Sequence, residues 1–367
     1  DRFPFVPGTE FTPKRNNSTS GYIAGATFTR LKELNPTSRD HIAWILQQFY
    51  GWTPTQMTAT GKPVIDEVIL TEIGSKISMQ FATCLKVTKM LGMISEGVNA
   101  WLKLSTNERI HHHCSVATST HRCAHRKPNL AQVPSDERFR ELFIPSPNMV
   151  MVGADLSGIE LRMLASYLHR YDGGRYADIL LNGDIHQVNA DKIGISRKQV
   201  KTVTYAFLYG AGDEKIGHSY DKQLSTTQAQ RKGKEIREAY VAAVDGLDKL
   251  LAAIKKASER GYVQSIDKRR IILDSPHKAL NYLLQSGAGV IAKRWMCINQ
   301  DHIKELKLSC SQLAFIHDEL QFEVDPKHAQ DLCSSLVLSA TEAGEFYKLR
   351  CRIDAEAIQG QSWKDTH

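Results

Sequence analysis

Apolar side chains in this chain recur at helical spacing in some stretches and at strand spacing in others. Ser38 precedes Ile42, Ile45, Leu46 and Phe49, which line one face of a predicted helix as far as Tyr50, with Gly51 as its stop. A longer helical pattern at about 71–104 carries Ile73, Ile77, Phe81, Leu85 and Ile94. Two helices and little else predict a projecting arm. Residues 1–37, rich in Pro, Gly, Ser, Thr and Asn and without periodicity, read as an irregular, partly mobile lead-in. Around 109–125 the pattern changes to short β-like runs about a Ser/Thr-rich turn, and 148–155 predicts a buried strand ending in Asp155. Residues 172–262 are mostly helical, with one helix over 197–209 and a long charged one at about 225–260. Residues 313–324 predict a hairpin with His317-Asp318-Glu319 near its tip. Together these elements predict an α+β fold.

With 367 residues the chain exceeds one ordinary domain. Its 47 Lys and Arg against 40 Asp and Glu leave a net charge of +7, which permits a polyanionic partner without requiring one. The seven cysteines are odd in number and scattered, with no CxxC pair, which fits a reducing intracellular setting. No apolar run approaches the roughly 20 residues that cross a bilayer, and no signal pattern opens the chain. The expectation is a cytoplasmic protein that does not engage a membrane. A start at Asp1, in sequence that reads as mid-protein, is expected of a fragment.

Asp155 at a strand end and Asp318 at a hairpin bend can converge if both strands join one sheet. Paired carboxylates that leave coordination positions open suit Mg²⁺, and two such ions serve an in-line displacement at phosphorus. Glu319 is an accessory candidate. Arg197, Lys201, Tyr205 and Tyr209 lie four residues apart and stack along one helix side, two cations followed by two rings. An Arg fork and a Lys charge can hold a triphosphate while a ring packs on sugar or base. Ser196 caps that helix, Gly210 and Gly212 permit its exit, and His186 is a further phosphate donor candidate.

These segments, with Asn35-Pro-x-Ser-Arg-Asp-His-Ile42, Pro128-Asn-Leu-Ala-Gln132, residues 155–162 and 205–217, Ser275-Pro-His-x-Ala-Leu-Asn281-x-Leu-Leu-Gln285 and His317-Asp-Glu319, occur in order over nearly the whole chain. It resembles the polymerase portion of family A DNA polymerases, above all those that replicate short-tailed bacteriophages. The resemblance implies a right-hand architecture with an antiparallel palm sheet, helical fingers and a partial helical thumb. Its divisions would be 1–105 for the partial thumb with its lead-in, 106–171 for the first part of the palm, 172–262 for the fingers and 263–367 for the second part of the palm. The implied function is a nucleotidyltransferase of DNA replication that adds deoxynucleotides to a primer 3′-hydroxyl by a two-metal mechanism.

By the same resemblance, Asp155, Asp318, Glu319 and Lys201 form the catalytic set. Asp155, the Leu156 carbonyl and Asp318 hold two Mg²⁺ ions, for which Mn²⁺ can substitute. His186, Arg197, Lys201, Tyr205, Glu160 and Tyr209 bind the deoxynucleoside triphosphate, with Glu160 excluding a 2′-hydroxyl. Arg122, Asn129, Gln132, Asn281, Gln285 and His317 touch primer-template DNA, several through the minor groove, whose acceptors are alike in every base pair. No carboxylate cluster in 1–105 matches a proofreading exonuclease, so none is expected in this chain. A processivity factor would bind a thumb segment outside the chain. The implied protein is a monomer acting in the cytoplasm of an infected bacterium. Two other readings share parts of the pattern: a single-subunit RNA polymerase, and a DNA-binding module without turnover. Glu160 and the 128–132 match favour DNA over RNA. One departure is Thr120-His121-Arg122, where the family has Thr-Gly-Arg. His111, His112, His113, Cys114, His121, Cys123 and His125 invite zinc, but alternation along a hairpin argues against a shared centre.

Overall fold

In a computed structural model, residues 5–221 and 223–367 are described, and the chain divides into two compact units, 1–111 and 112–367. The first unit opens with a ribbon of two antiparallel strands, β1 (Phe5–Phe11) and β2 (Phe28–Glu33), with a register shift between Pro7 and Glu10. This corrects the expectation of an irregular lead-in over the described part of 1–37; residues 1–4 lie outside the described residues. The ribbon buries only Val6 fully, so it has no alternation to read, and its cohesion comes from backbone pairing and the Phe11, Tyr22 and Phe28 rings. α1 (Arg39–Tyr50) forms as expected, with the Ser38 side chain accepting from the His41 amide and Gly51 left-handed at its end. The predicted long helix over 71–104 is broken into α2 (Glu67–Ile73), α3 (Lys76–Leu91) and α4 (Trp101–Leu104). Gly74 turns left-handed, Ser75 caps α3, and a π-helical turn at Gly92–Glu96 ends it. β3 (Ser105–Thr106) and β4 (Arg109–Ile110) close the unit.

The second unit begins with a short ribbon, β5 (His113–Ser115) and β6 (Ala124–Arg126), followed by α5 (Glu137–Arg140) and β7 (Val150–Leu156). Helices α6 (Ile159–Asp172), α7 (Arg175–Asn182), α8 (Ile185–Ile193), α9 (Arg197–Leu208) and α10 (Asp213–Tyr220) come next. The long charged helix predicted at 225–260 is two, α11 (Thr226–Ala243) and α12 (Leu247–Ser258), parted where Gly246 adopts φ 79°. After the ribbon β8 (Tyr262–Gln264) and β9 (Arg270–Ile272), α13 (Ala279–Glu305) leads to the hairpin β10 (Cys310–Ile316) and β11 (Glu319–Val324). α14 (Ala329–Phe346) and β12 (Ala355–Gly360) end the chain.

The main sheet runs β10-β11-β7-β12, all antiparallel. On β11, Leu320, Phe322 and Val324 enter the core with α13 and α14, while Glu319, Gln321 and Glu323 alternate with them. Those three polar groups are buried yet satisfied: Trp363 Nε1 and Gln321 Nε2 donate to Glu319, Thr366 Oγ1 donates to Gln321, and the Ser146 hydroxyl donates to Glu323. Trp295, fully buried, donates its indole N–H to the Leu336 carbonyl and locks α13 to α14.

α10 and α11 approach so closely that a Cβ added to Gly233 would overlap the Asp213 carbonyl, and one on Gly217 the Ala229 carbonyl. Both obstacles are backbone, so a methyl group can enter only by parting the helices. Gly233→Ala is expected to cost about 1 to 3 kcal/mol in urea unfolding, whereas Gly92→Ala, in open space at helical φ, is expected to be neutral or slightly stabilising.

His125 is 8% exposed, its ring nitrogens have no hydrogen-bond partner, and its ring lies 5.5 Å from that of His317 and 6.2 Å from that of His112. Burial first, then those two imidazoles, hold its pKa down at about 4. A depressed value favours the neutral ring in the fold, so its stability is fully present above the unfolded value of about 6.5 and is lost as pH falls from there toward 4. Between pH 7 and 5 the second unit should lose about 1 to 2 kcal/mol by this route. His125→Gln should flatten the dependence, read from denaturation midpoints across that range.

Candidate active site

Asp155 is the penultimate residue of β7, directly opposite Glu319 on β11 and Glu356 on β12. Asp318 occupies the two-residue turn that joins β10 to β11, next to His317 at φ 58°. The Leu156 amide donates to the Asp318 carbonyl at 3.0 Å, which fastens the end of β7 to the hairpin tip. The sheet therefore brings together the two aspartates that the sequence separates by more than 160 residues. Their fields meet: Asp155 is pushed up to about 7 by burial and then by Asp318, Glu319 and nearby acids. Asp318 is raised to about 6 by burial and then by Glu160, with Arg122 opposing. Asp155 nonetheless keeps surface open to solvent, so it is approachable. Neither aspartate has a salt-bridge partner among the described residues. Glu319 lies beside them but is committed elsewhere, 2.5 Å from Trp363 Nε1 and 3.1 Å from His367 Nδ1.

Glu160, in the first turn of α6 and 7% exposed, accepts from Arg122 Nη2 at 2.5 Å and from the Tyr209 hydroxyl at 2.9 Å. Burial and Glu160 push the Tyr209 phenol up to about 12, which keeps it a donor. Arg122 thus holds its place although His121 takes φ 59° where a glycine was expected, and Ser286 Oγ lies 2.8 Å from His121 Nδ1. Arg162 donates to the Ser157 and Arg352 carbonyls and secures the β7-to-α6 turn.

α9 carries the cation and ring series. A reciprocal capping box joins Ser196 and Gln199 at its start. Arg197 Nε donates to Asp184 Oδ2 at 2.6 Å, and the other Asp184 oxygen caps α8 through the His186 and Gln187 amides. His186 is buried with Nδ1 unpartnered, its ring 6.2 Å from that of Tyr205, and its pKa is lowered by burial. Lys201 is exposed and close enough to His186 to bear on it. Tyr205 is half-buried and feels both Glu160 and Asp318. At the far end of α9, Asn281 Nδ2 donates to the Leu208 carbonyl at 3.0 Å, and Gln285 Nε2 donates to Asn281 Oδ1 at 3.2 Å. Asn129 caps a single 3₁₀ turn, Leu130–Gln132, and both Asn129 and Gln132 are exposed.

Sequence reasoning missed Asp184 and Trp363. The first had a readable signal, an N-cap residue two before His186; the second, a lone Trp near the end of the chain, had none. As the side chains stand, the described residues contain no group of three or more His, Cys, Asp or Glu able to hold a metal ion, the His/Cys stretch of 111–125 included. The two aspartates form a pair. No described helix is long and apolar enough to cross a membrane.

Residues 17–365 match the sequence profile of DNA polymerase family A. The DNA-directed DNA polymerase of Enterobacteria phage T3 is 33% identical over 95% of this chain and 55% of its own length; that of Escherichia phage T7 is 32% identical with the same coverage. The chain spans about half the length of these curated relatives. DNA polymerase I of Pseudomonas aeruginosa is 25% identical over 92% of the chain. The fold is similar to a solved POL domain of Pol1 from M. smegmatis in complex with DNA primer-template and dNTP, with TM-score 0.74, 23% identity and coverage of 92% of this chain and 62% of that one. With an α+β fold, an antiparallel sheet ending in paired aspartates and a profile match over almost its full length, the chain belongs to DNA polymerase family A.

Proposed function

We propose that this chain is the polymerising portion of a template-directed DNA polymerase, in which the primer 3′-hydroxyl attacks the α-phosphate of a deoxynucleoside triphosphate and pyrophosphate leaves. The observation that carries the reading is the Asp155 and Asp318 pair, held at one sheet end by the Leu156 amide and raised by burial and then by neighbouring acids, with Glu160 beside it. Two hard carboxylates without a salt-bridge partner fit a divalent cation. Asp155, Asp318 and the Leu156 carbonyl would hold Mg²⁺, as two ions, with Mn²⁺ able to substitute. When bound, such ions supply Lewis-acid activation of the hydroxyl and neutralise charge on the phosphates. Glu319, tied to Trp363 and His367, supports the site from behind.

Arg197, Lys201 and His186 take the triphosphate, with Arg197 exchanging Asp184 for phosphate oxygens. Tyr205 packs against the sugar. Glu160, fixed by Arg122 and Tyr209, fills the space under the ribose C2′ and disfavours a hydroxyl there. Arg122, Asn129, Gln132, Asn281, Gln285 and His317 face primer-template DNA. In this reading 1–105 is the partial thumb, 106–171 and 263–367 the palm, and 172–262 the fingers. The protein works as a monomer in the cytoplasm of an infected bacterium, and any processivity factor engages sequence beyond this chain.

Primer extension tests the reading. Asp155→Ala and Asp318→Ala should each lower the rate by about a thousandfold, several kcal/mol of barrier, with primer-template binding retained; parental rates in either variant defeat the proposal. Glu160→Ala should cut the preference for deoxy- over ribonucleotides by about tenfold or more, measured as the ratio of kcat/KM values. Tyr205→Phe should sharpen discrimination against chain terminators lacking the 3′-hydroxyl, and equal incorporation ratios in parent and variant would refute its assigned place.

A further inference from the structure

The turn that delivers Arg122 to Glu160 is backed by one face of α13, a support to which the polymerase chemistry above assigns no role. Ser286, Gly289 and Lys293 follow one another at spacings of three and four residues, so they share that face. Ser286 Oγ lies 2.8 Å from His121 Nδ1 and 2.7 Å from Ser265 Oγ, and all three residues are buried. A Cβ placed on Gly289 would come within 3.0 Å of the His121 carbonyl oxygen and 3.3 Å of Arg122 Cα and Cγ, so the turn rests on the helix backbone itself. Lys293 Nζ donates to the His121 carbonyl at 2.6 Å. His121 and Arg122 are thus gripped by three successive positions of one helix face.

The Lys293 bond acts on a planar unit. The His121 carbonyl and the Arg122 amide belong to one peptide group, so a cation on the oxygen sets the plane from which Arg122 departs. On the other side Thr118 Oγ1 donates to the Arg122 carbonyl, and both peptide planes flanking Arg122 are pinned. The pinning matters because His121 takes φ 59°, a left-handed conformation that a residue other than glycine keeps only where its surroundings hold it. If Arg122 turned away, Glu160 would lose one of its two described donors and keep only the Tyr209 hydroxyl. A carboxylate held by one donor can rotate. We propose that Lys293 is a positioning residue for sugar selection: through the His121 carbonyl it holds Arg122 on Glu160, and so fixes the carboxylate that faces the ribose C2′ of the incoming nucleotide. This assignment rests on the reading of Glu160 given above, and it gives Lys293 no contact with nucleotide or primer-template.

Primer extension by the full chain gives the readout, as the ratio of kcat/KM for a deoxynucleotide to that for the matching ribonucleotide. Loss of folded enzyme scales both values alike and leaves the ratio unmoved, so a merely structural role does not change it. Lys293→Met, which keeps the side-chain length and removes the donor, should lower the ratio by about threefold or more, and Lys293→Arg should restore most of it. In an Arg122→Ala background the same Lys293→Met change should lower the ratio no further, because the two residues act in series. Should Lys293→Met fail to fold, Gly289→Ala, which presses on the same turn with Lys293 in place, should lower the ratio in the same direction. A parental ratio in Lys293→Met, an undiminished drop in the Arg122→Ala background, or a loss confined to primer-template affinity would each overturn the role of Lys293. Glu160→Ala separates that failure from failure of the reading beneath it. No extension by the parent, or an unchanged ratio in Glu160→Ala, removes both; a lowered ratio in Glu160→Ala with a parental one in Lys293→Met removes Lys293 alone.

Discussion

One backbone hydrogen bond organises the site, that of the Leu156 amide to the Asp318 carbonyl. Two carboxylates near one another in partly dry surroundings are costly to ionise: burial raises both first, then Asp318 bears on Asp155 and Glu160 on Asp318. A loop would relax by turning them apart. Here Asp155 sits at the end of the β7 ladder between β11 and β12, and Asp318 in a two-residue turn between β10 and β11, which pair with each other while β11 also pairs with β7. Core packing by Leu320, Phe322 and Val324 sets the register, and the register sets the pair.

A second node ties three helical elements to that sheet end. Glu160 at the start of α6 accepts from Arg122 of the ribbon and Tyr209 after α9, while Asn281 of α13 holds the Leu208 carbonyl beside it. Each partner pays for the burial of the others: an unpaired carboxylate or guanidinium here would be costly, but the set is mutually satisfied. The substitution of His121 for an expected glycine fits the same logic. Its left-handed backbone is held through contacts to Ser286 and Lys293, so the turn reaches its shape by side-chain and carbonyl anchors.

What the sequence made legible follows from how local each signal is. The caps at Ser38 and Ser196 and the hairpin around His317 are all formed by residues close in sequence, and all are found. The helices predicted at 71–104 and 225–260 failed because apolar periodicity continues across Gly74 and Gly246, where the backbone turns away. The ribbon of β1 and β2 escaped notice because both strands are largely exposed and no face had to be apolar. At the site, the aspartates and the α9 series could be named from sequence, but their partners could not. Trp363 meets Glu319 from 44 residues away in the chain, and Asp184 meets Arg197 across a helix boundary.

The two ends of α9 are held unequally. Its C-terminal end is tied by a buried amide, Asn281 to the Leu208 carbonyl, whose loss would strand polar groups away from water. Its N-terminal end is tied by Arg197 to Asp184, an ion pair with roughly half of each side chain in solvent. Exposed pairs contribute about 0 to 1 kcal/mol and weaken further with salt. A polyanion can therefore displace Asp184 from Arg197 at little cost, while the same ligand has no means of competing for the Leu208 carbonyl. The weak anchor lies at the cationic end of the helix and the strong anchor at its aromatic end. Exchange of partners at Arg197 thus leaves the aromatic end of α9 in place, with the Tyr209 hydroxyl still on Glu160.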